Sequence, residues 1–197
     1  MGVVRVLVGP DTDDLAELYA APGDRPWLRV NMVSTVDGAA TGDSGRSGSI
    51  NNAADKRVFD HLRATADVIV VGAGTARTEG YGPADRPIVV VSRRDEVPEG
   101  LRGAPPGSVL VEPLGDAAGF RRRLVDRGWT RILCEGGPSL LHDLLRGGVV
   151  DELCTTTVPR LVGGPGPRIV AGPALDVPLR LHTLLEVDGT LLARWLV

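Results

Sequence analysis

Residues 68–75 read VIVVGAGT, an apolar run that passes directly into a glycine-rich turn. A run that is β-branched at every position is typical of a strand buried on both faces of a parallel sheet. Gly72 and Gly74 would then open a short helix, where free backbone N–H groups favour a phosphate. Arg77 stands where a dinucleotide fingerprint has its third glycine, so a plain strand-to-helix turn is the alternative.

A second junction of this kind lies in residues 132–141, ILCEGGPSLL. Its apolar strand is followed by Gly136 and Gly137, by Pro138 at a first-turn position of a helix, and by Ser139. Ligands of open α/β sheets bind at the carboxyl ends of the strands. Two such junctions in one sheet therefore favour a dinucleotide more than either junction does alone.

The residues after the apolar run 88–91 indicate which dinucleotide to expect. Ser92 and Arg93 offer a hydroxyl and a guanidinium at a strand end, which suits the 2′-phosphate of NADPH. NADH would call for a carboxylate on the ribose instead. We therefore expect NADPH, with solvated surface arginines at positions 93 and 94 as the alternative.

Strand-like runs alternate with helical segments, which predicts an α/β fold with a mostly parallel central sheet flanked by helices. The predicted strands span residues 3–8, 28–34, 68–71, 88–91, 108–111, 132–134 and 152–158, and the helices span 13–19, 53–64, a short stretch after Gly74, 116–127 and 139–145. Residues 184–197 add two apolar runs around Asp188 and Gly189, a pair suited to the type I′ turn of an antiparallel hairpin. Such a hairpin would aggregate if its edge were open, so we expect it to pack against a second subunit in a homodimer.

Composition limits the classes of protein to which the chain can belong. With 197 residues, of which 43% are hydrophobic, it can bury the core of a single domain spanning residues 1–197. Its formal charge of −3, without a cluster of Lys and Arg interleaved with aromatic residues, predicts no nucleic-acid partner. No apolar run approaches the roughly 20 residues of a membrane span, and residues 1–10 lack the features of a signal peptide, so we expect a cytoplasmic protein without membrane contact. Cys134, Cys154 and the histidines are too scattered to predict a metal site.

Several charged residues are candidates for chemistry. Glu79 and Glu135 each lie near glycines at a junction, where a carboxylate can handle a proton or anchor a ligand. Asp37, in the turn STVDGA, is a second candidate, although a turn carboxylate that bonds its own backbone is the simpler interpretation. Arg63 and Arg86 could each grip a phosphate in bidentate fashion, and Arg63 could equally complement the end of its helix.

Four blocks of sequence together carry a resemblance to a known family. They are RPWLRVNMVSTVDGAAT (residues 25–41), VIVVGAGTARTEGYGPADRP (68–87), LCEGGPSLL (133–141) and VDELCTTTVPRLVGG (150–164). In this order and spacing they resemble the reductase domain of the bacterial riboflavin-biosynthesis deaminase/reductase, which is dihydrofolate-reductase-like in fold. The resemblance extends from about residue 25 to residue 197.

The resemblance implies hydride transfer from NADPH to C1 of a ribosylamino-pyrimidine 5′-phosphate, which opens the ribose to a ribitylamino product. Glu79 or Asp37 would handle the proton. The implied cofactor contacts are Val33, Ser49, Gly72, Gly74, Thr75, Glu79, Ser92, Arg93, Gly136, Gly137, Pro138, Ser139, Leu140, Leu141, His142 and Asp143. The implied substrate contacts are Ser47, Arg63, Pro83, Arg86 and Glu135.

The chain also departs from the family pattern. Relatives usually have Asp at the position of Glu79, Leu at Pro83, and Lys or Arg at Ala39. The chain contains neither H-x-E nor C-x-x-C, the motifs of the zinc deaminase that usually accompanies this reductase, so the 2-amino and the deaminated pyrimidine both remain candidate substrates. A reductase of another heterocycle, such as a dihydrofolate-like pterin, and a noncatalytic NADPH-binding protein are the alternative functions.

Overall fold

Strands form where the sequence has its apolar runs. In the computed structural model, which describes residues 2–197, these runs give β1 (Arg5–Val8), β2 (Trp27–Thr35), β3 (Val68–Gly72), β4 (Ile88–Val91), β5 (Val109–Glu112), β6 (Arg131–Cys134), β7 (Glu152–Val158), β8 (Arg180–Val187) and β9 (Thr190–Leu196). The α-helices of this part of the chain are α1 (Leu15–Leu18), α2 (Ala53–Thr65), α3 (Ala73–Glu79), α4 (Ala117–Asp126) and α5 (Pro138–Arg146). None of the helices within residues 2–197 is long and apolar enough to cross a membrane.

The strands of the described chain join in one sheet in the order β1-β8-β9-β7-β2-β6-β3-β4-β5. From β7 to β5 in this order the strands run parallel to one another, whereas β1, β8 and β9 pair antiparallel with their neighbours. The predicted α/β fold, with a mostly parallel sheet and an antiparallel C-terminal hairpin, is confirmed.

Helices cover both faces of the sheet. In β3, Val68 and Val70 belong to a core shared with α4 and α5, whereas Ile69 and Val71 pack against α3 on the other face. The segment around α1 joins α2 in a further cluster against β8 and β9. Each fully buried side chain of this kind contributes about 1.5–3 kcal/mol. The two-sided burial explains why VIVV is apolar at every position.

Local signals set the bounds of α2. The side-chain oxygen of Asn52 accepts hydrogen bonds from the backbone N–H groups of Ala54 and Asp55, both at 3.1 Å, and so caps the helix. Val58 and Leu62 form the buried stripe of the helix. Phe59 is half-buried and lies in the wall of a cavity.

The C-terminal hairpin has the turn that its sequence predicts. Asp188 and Gly189 have φ angles of 49° and 79°, as a type I′ turn requires. Both edges of the hairpin are paired, however, because β1 covers β8 and β7 covers β9. The hairpin therefore does not form an edge of the sheet, and the pattern of residues 184–197 gives no sign that residues 5–8 pair with it. The homodimer itself stays a prediction.

A buried polar cluster fixes the N-terminal segment to the sheet. The carboxylate of Glu152 accepts hydrogen bonds from Trp27 Nε1 at 2.7 Å and Arg29 Nε at 3.0 Å, and also from Arg194 Nε. Arg29 additionally donates to the carbonyl of Tyr19 at 2.7 Å. Burial alone raises the pKa of Glu152, but the charges and hydrogen bonds of the two arginines hold it below its usual value. The buried negative charge of Glu152 is thus compensated by two arginines inside the fold.

The strand order also determines where loops meet. Because β6 lies between β2 and β3 and all three are parallel, their carboxyl ends are adjacent at one edge of the sheet. The segments that follow Thr35, Gly72 and Cys134 therefore converge at this edge, where open α/β sheets bind their ligands.

Candidate active site at the carboxyl edge of the sheet

The two glycine junctions are in direct contact. The backbone N–H of Gly72 donates to the carbonyl of Gly136 at 2.7 Å, and the N–H of Glu135 donates to the carbonyl of Val70 at 2.9 Å. The pairing of β3 with β6 thus continues past the strand ends into both turns. The two segments that the sequence singles out form one continuous backbone surface.

The glycines of this surface differ in the space that a side chain would have. A Cβ atom at Gly137 would lie 2.3 Å from the hydroxyl oxygen of Thr75, so a side chain has no room there. A Cβ atom at Gly74 would meet no heavy atom of the described chain within 4 Å. Gly136 has a φ angle of 82°, and the peptide bond between it and Gly137 is cis.

A cavity of about 450 Å³ opens beside the junctions. Its walls come from β2 and the loop after it, from α2 and α3, and from the start of α5. The predicted site residues in these walls are Val33, Ser47, Arg63, Gly74, Thr75, Glu79, Glu135, Gly137 and Pro138. Cavities of this volume commonly hold small-molecule ligands.

The predicted segment 137–143 meets the cavity at its first two residues. Leu140 and Leu141 are buried in the core shared by α4 and α5. The ring of His142 contacts the Asp143 carboxylate at 3.1 Å and the carbonyl of Pro173 at 3.0 Å. The helical turn of α5 thus points the later residues of the segment away from the cavity, a separation that a continuous motif does not reveal.

Further predicted residues lie at the same edge but outside the cavity. The hydroxyl of Ser92 accepts the backbone N–H of Arg94 at 3.1 Å, and Arg93 is exposed beyond the end of β4. Ser139 is exposed on α5. The hydroxyl of Ser49 bonds within its own loop, donating to the carbonyl of Arg46 at 2.7 Å.

An ion pair with an attached tyrosine forms one end of the cavity. Nε and Nη2 of Arg63 donate to the two carboxylate oxygens of Glu135 at 2.7 Å each, and the hydroxyl of Tyr81 donates to Glu135 Oε2 at 2.5 Å. Burial and the negative charge of Glu135 raise the pKa of Tyr81 well above its usual value, so it stays a neutral donor. Burial alone lowers the pKa of Arg63, but the hydrogen bond and charge of Glu135 raise it. The sequence predicts Arg63 and Glu135 as separate contacts but gives no sign of Tyr81.

Arg63 also borders a second cavity, of about 440 Å³, on the outer side of the same end. Pro83 and Arg86 lie in its wall, and Arg86 Nη2 donates to the carbonyl of Ala64 at 2.5 Å. Arg63 is therefore the residue that connects the two cavities. The predicted substrate contacts Arg63, Pro83, Arg86 and Glu135 lie together around this connection.

Glu79 also lies in the wall of the main cavity. Its Oε1 accepts the backbone N–H of Ser47 at 2.8 Å, which ties the end of α3 to the short 3-10 turn Ser47–Ser49. Both residues lie in the cavity wall. The loop after β2 is thereby held over the cavity by a charge-assisted hydrogen bond.

Asp37 lies away from the cavity and stabilises a turn. Its carboxylate accepts hydrogen bonds from the Thr35 hydroxyl at 2.5 Å and from the backbone N–H groups of Val162 and Gly163, the latter at 2.6 Å. The Thr35 hydroxyl, followed by the N–H of Gly163, lowers the pKa of Asp37 to about 2. The group is consequently ionised near neutral pH and has no proton to donate.

Asp55 is a cavity residue that the sequence does not single out. It lies in the first turn of α2, is 3% exposed and belongs to the wall of the main cavity. Its Oδ1 is buried and has no hydrogen-bond partner among the described residues 2–197. Burial raises the pKa of Asp55, an effect that a hydrogen bond from the Thr156 hydroxyl partly offsets. An amphipathic pattern could have drawn attention to it, since an Asp stands at a helix position that faces inward.

The described chain has neither a cluster of metal ligands nor an exposed thiol. Residues 2–197 contain no group of three or more His, Cys, Asp or Glu side chains that could hold a metal ion. Cys134 and Cys154 are free and buried. Burial raises the pKa of Cys134 to about 12, so it is a core thiol.

The sheet order and the paired glycine turns define a dihydrofolate-reductase-like fold. The chain superposes on dihydrofolate reductase from Enterococcus faecalis, solved in complex with NADP(H), with a TM-score of 0.56 and 14% identity over 86% of this chain and 95% of that one. A pyrimidine reductase-like protein from Corynebacterium diphtheriae gives a TM-score of 0.75 with 22% identity over 87% of this chain and 92% of that one.

Within this fold class, sequence similarity identifies the family. The model of the RibD C-terminal domain matches residues 26–192, and the chain belongs to this family. The riboflavin biosynthesis protein RibD of Mycobacterium tuberculosis is 30% identical over 172 residues, and the match covers 77% of this chain and 50% of that protein. The chain thus spans about half the length of RibD. A 2,5-diamino-6-ribosylamino-4(3H)-pyrimidinone 5′-phosphate reductase of Methanothermobacter thermautotrophicus is 30% identical over 188 residues, which cover 77% of this chain and 87% of that protein.

Proposed function

We propose that the chain is an NADPH-dependent reductase that converts a ribosylamino-pyrimidine 5′-phosphate to the ribitylamino product in riboflavin biosynthesis. The observation that carries the proposal is the main cavity, in which the glycine junctions of a dihydrofolate-reductase-like sheet face the Arg63–Glu135 pair. The archaeal relative, of which 87% is covered, is named as a reductase of such a pyrimidinone phosphate.

The backbone at the junctions fits a dinucleotide. Gly74 lies in the cavity wall with no heavy atom within 4 Å of its Cβ direction, so it leaves room for a ligand. Gly137 and Pro138 bring the start of α5, which has the positive end of a helix dipole, to the same wall. We assign the cofactor to this surface, with Ser92 and Arg93 toward the 2′-phosphate. NADPH, when bound, supplies the hydride.

The second cavity suits the 5′-phosphate of the substrate. Arg86 contributes a positive charge there, and Nη1 of Arg63 takes no part in the pair with Glu135. Asp60 and Asp85 lie in the same wall; the Asp60 carboxylate is paired with Lys56 at 2.8 Å, and Asp85 is exposed to solvent. A phosphate bound by Arg86 and Arg63 would place the rest of the substrate in the main cavity, beside Glu135.

The reduction also requires one proton. Glu79 lies in the cavity wall, whereas Asp37 is outside it and is occupied by the turn at Val162 and Gly163. We therefore assign proton handling to Glu79 rather than Asp37, within a network that already orients its carboxylate through Ser47.

Turnover with defined substrates tests the proposal. NADPH oxidation is measured with the 2-amino and the deaminated ribosylamino-pyrimidine, each with and without its 5′-phosphate. We expect oxidation that depends on the phosphate and is much slower with NADH. Tight NADPH binding without turnover of any pyrimidine would instead indicate a noncatalytic binding protein, and turnover of dihydrofolate would indicate a pterin reductase.

Two further properties belong to the proposal. The two buried free cysteines are typical of a reducing compartment, which supports a cytoplasmic location. We also propose a homodimer, supported by exposed apolar side chains such as Leu7 and Val8 on the edge strand β1. Light scattering at micromolar concentration tests the dimer, and a monomeric mass would exclude it.

A further inference from the structure

One face of α2 forms a continuous wall of the main cavity. Asp55, Phe59 and Arg63 all line the cavity, and their spacing of four residues places them on the same face of the helix. At 1.5 Å per residue, Asp55 and Arg63 are about 12 Å apart along the helix axis. The cavity therefore has a carboxyl group toward one end and the Arg63–Glu135 pair toward the other.

Asp55 has no structural task that accounts for its burial. Asn52 already caps α2, and Oδ1 of Asp55 makes no hydrogen bond, so it does not return a bond to the cap residue. Oδ1 of Asp55 has no hydrogen-bond partner within residues 2–197. A buried carboxyl group with an unpaired oxygen is unfavourable, and an N–H of a ligand in the cavity that Asp55 lines can satisfy it.

We propose that Asp55 binds the pyrimidine ring of the substrate and selects the 2-amino ring over the deaminated ring. The inference rests on the proposed function. If the phosphate lies between Arg63 and Arg86, the ring lies toward the other end of the cavity, because ring and phosphate are at opposite ends of the substrate. The ring-facing carboxyl group is then Asp55.

The chemistry of the two rings explains the selection. A 2-aminopyrimidinone presents its amino group and the neighbouring ring N–H as two parallel donors, which match the two oxygens of a carboxylate. The deaminated ring has a carbonyl oxygen in place of the amino group, and this acceptor would face the acceptor oxygens of the Asp55 carboxylate. Such a mismatch of buried polar groups is a strong source of discrimination.

Asp55→Asn tests the inference, because it keeps the shape of the side chain and replaces one acceptor by an N–H donor. The affinities of the two pyrimidine 5′-phosphates are measured by calorimetry without cofactor, so that no turnover occurs. We expect the wild type to prefer the 2-amino compound by about 10- to 100-fold, the range for charge-assisted hydrogen bonds. In Asp55→Asn this ratio should fall to near one, with unchanged affinity for NADPH.

Two variants control for effects on folding and charge. Asp126→Asn makes the same chemical change at an exposed position of α4 and should keep the wild-type ratio. Asp55→Ala removes both acceptors and should abolish the preference as well, with NADPH binding reporting an intact fold. A wild-type ratio retained in Asp55→Asn, or equal wild-type affinities for the two rings, would overturn the role of Asp55 and leave the proposed function standing. Wild-type protein that binds neither pyrimidine would overturn both.

Discussion

The guanidinium of Arg63 and the carboxylate of Glu135 meet through two hydrogen bonds of 2.7 Å, although 72 residues separate them in the chain. The Glu135 side chain is 3% exposed and that of Arg63 is 29% exposed. The rings of Phe59 and Tyr81 flank the guanidinium, with centroids 4.4 Å and 5.4 Å from its carbon. The pair fixes α2 against the turn after β6, so it matters for stability as well as for the proposed substrate binding.

Replacing Arg63 by Met should destabilise the fold. The change leaves the Glu135 carboxylate buried without its cation, and we expect a loss of about 2–4 kcal/mol, at or below the range for a fully buried pair because Arg63 is partly exposed. Urea denaturation measures the free energy of unfolding. Glu135→Gln combined with Arg63→Met should cost no more than Arg63→Met alone, since the unpaired charge is then absent. Additive losses would contradict the coupling of the two residues.

Arg86→Ala should separate binding from stability. Arg86 is exposed, so its loss should change the free energy of unfolding by no more than about 0.5 kcal/mol. The KM for the phosphorylated substrate should rise by about 10- to 100-fold, with NADPH affinity unchanged. Arg102→Ala, which removes an exposed arginine paired with Glu96, is the matched control. Equal substrate affinity in both variants would exclude Arg86 from the phosphate site.

The sequence predicts those parts of the site that depend on local pattern. The runs VIVVGAGT and ILCEGG each predict a buried strand that is followed by a turn and a helix. The two turns are in contact because the two strands are parallel neighbours in one sheet. Local pattern does not predict Tyr81, because its hydrogen-bond partner Glu135 is 54 residues away in the chain. It does not predict Asp55 either, because the unpaired state of Oδ1 is visible only in the folded structure. The covering of β8 by β1 is missed for the same reason.

Glu79→Gln should reduce kcat without releasing the loop that Glu79 holds over the cavity. The amide oxygen can still accept the N–H of Ser47, but the side chain can no longer exchange a proton. We expect kcat to fall by about 100-fold or more and NADPH affinity to change by less than about tenfold. Steady-state kinetics of Glu79→Gln and Asp37→Asn in parallel assign the proton. If Asp37→Asn showed the larger loss of kcat with an unchanged fold, the assignment to Glu79 would be wrong.

Asp37 should contribute to stability in a pH-dependent way. Hydrogen bonds from Thr35 and Gly163 lower its pKa from the ordinary 3.8 to about 2 in the folded chain. A lowered folded-state pKa means that the stabilisation is fully present above the unfolded value and is lost as the pH falls through the folded one. The Tm of Asp37→Asn should therefore lie below that of the wild type near neutral pH, and the gap should close between about pH 4 and pH 2. Asp126→Asn, exposed on α4, gives the background effect of the same change, and a gap that persists at pH 2 would refute the linkage.

Two glycines of the junctions should respond in opposite ways to alanine. At Gly137 the new Cβ would lie 2.3 Å from Thr75 Oγ1, so we expect a loss of about 1–3 kcal/mol in the free energy of unfolding, relieved by Thr75→Ala.

At Gly74 no heavy atom of the described chain lies within 4 Å, and alanine inside α3 should be neutral or stabilising by up to about 1 kcal/mol. The added methyl would occupy the cavity wall, however, and should weaken NADPH binding by about tenfold or more, equivalent to about 1.4 kcal/mol. Fluorescence titration with NADPH and urea denaturation of both variants measure the two effects, and wild-type NADPH affinity in Gly74→Ala would move the cofactor away from this junction.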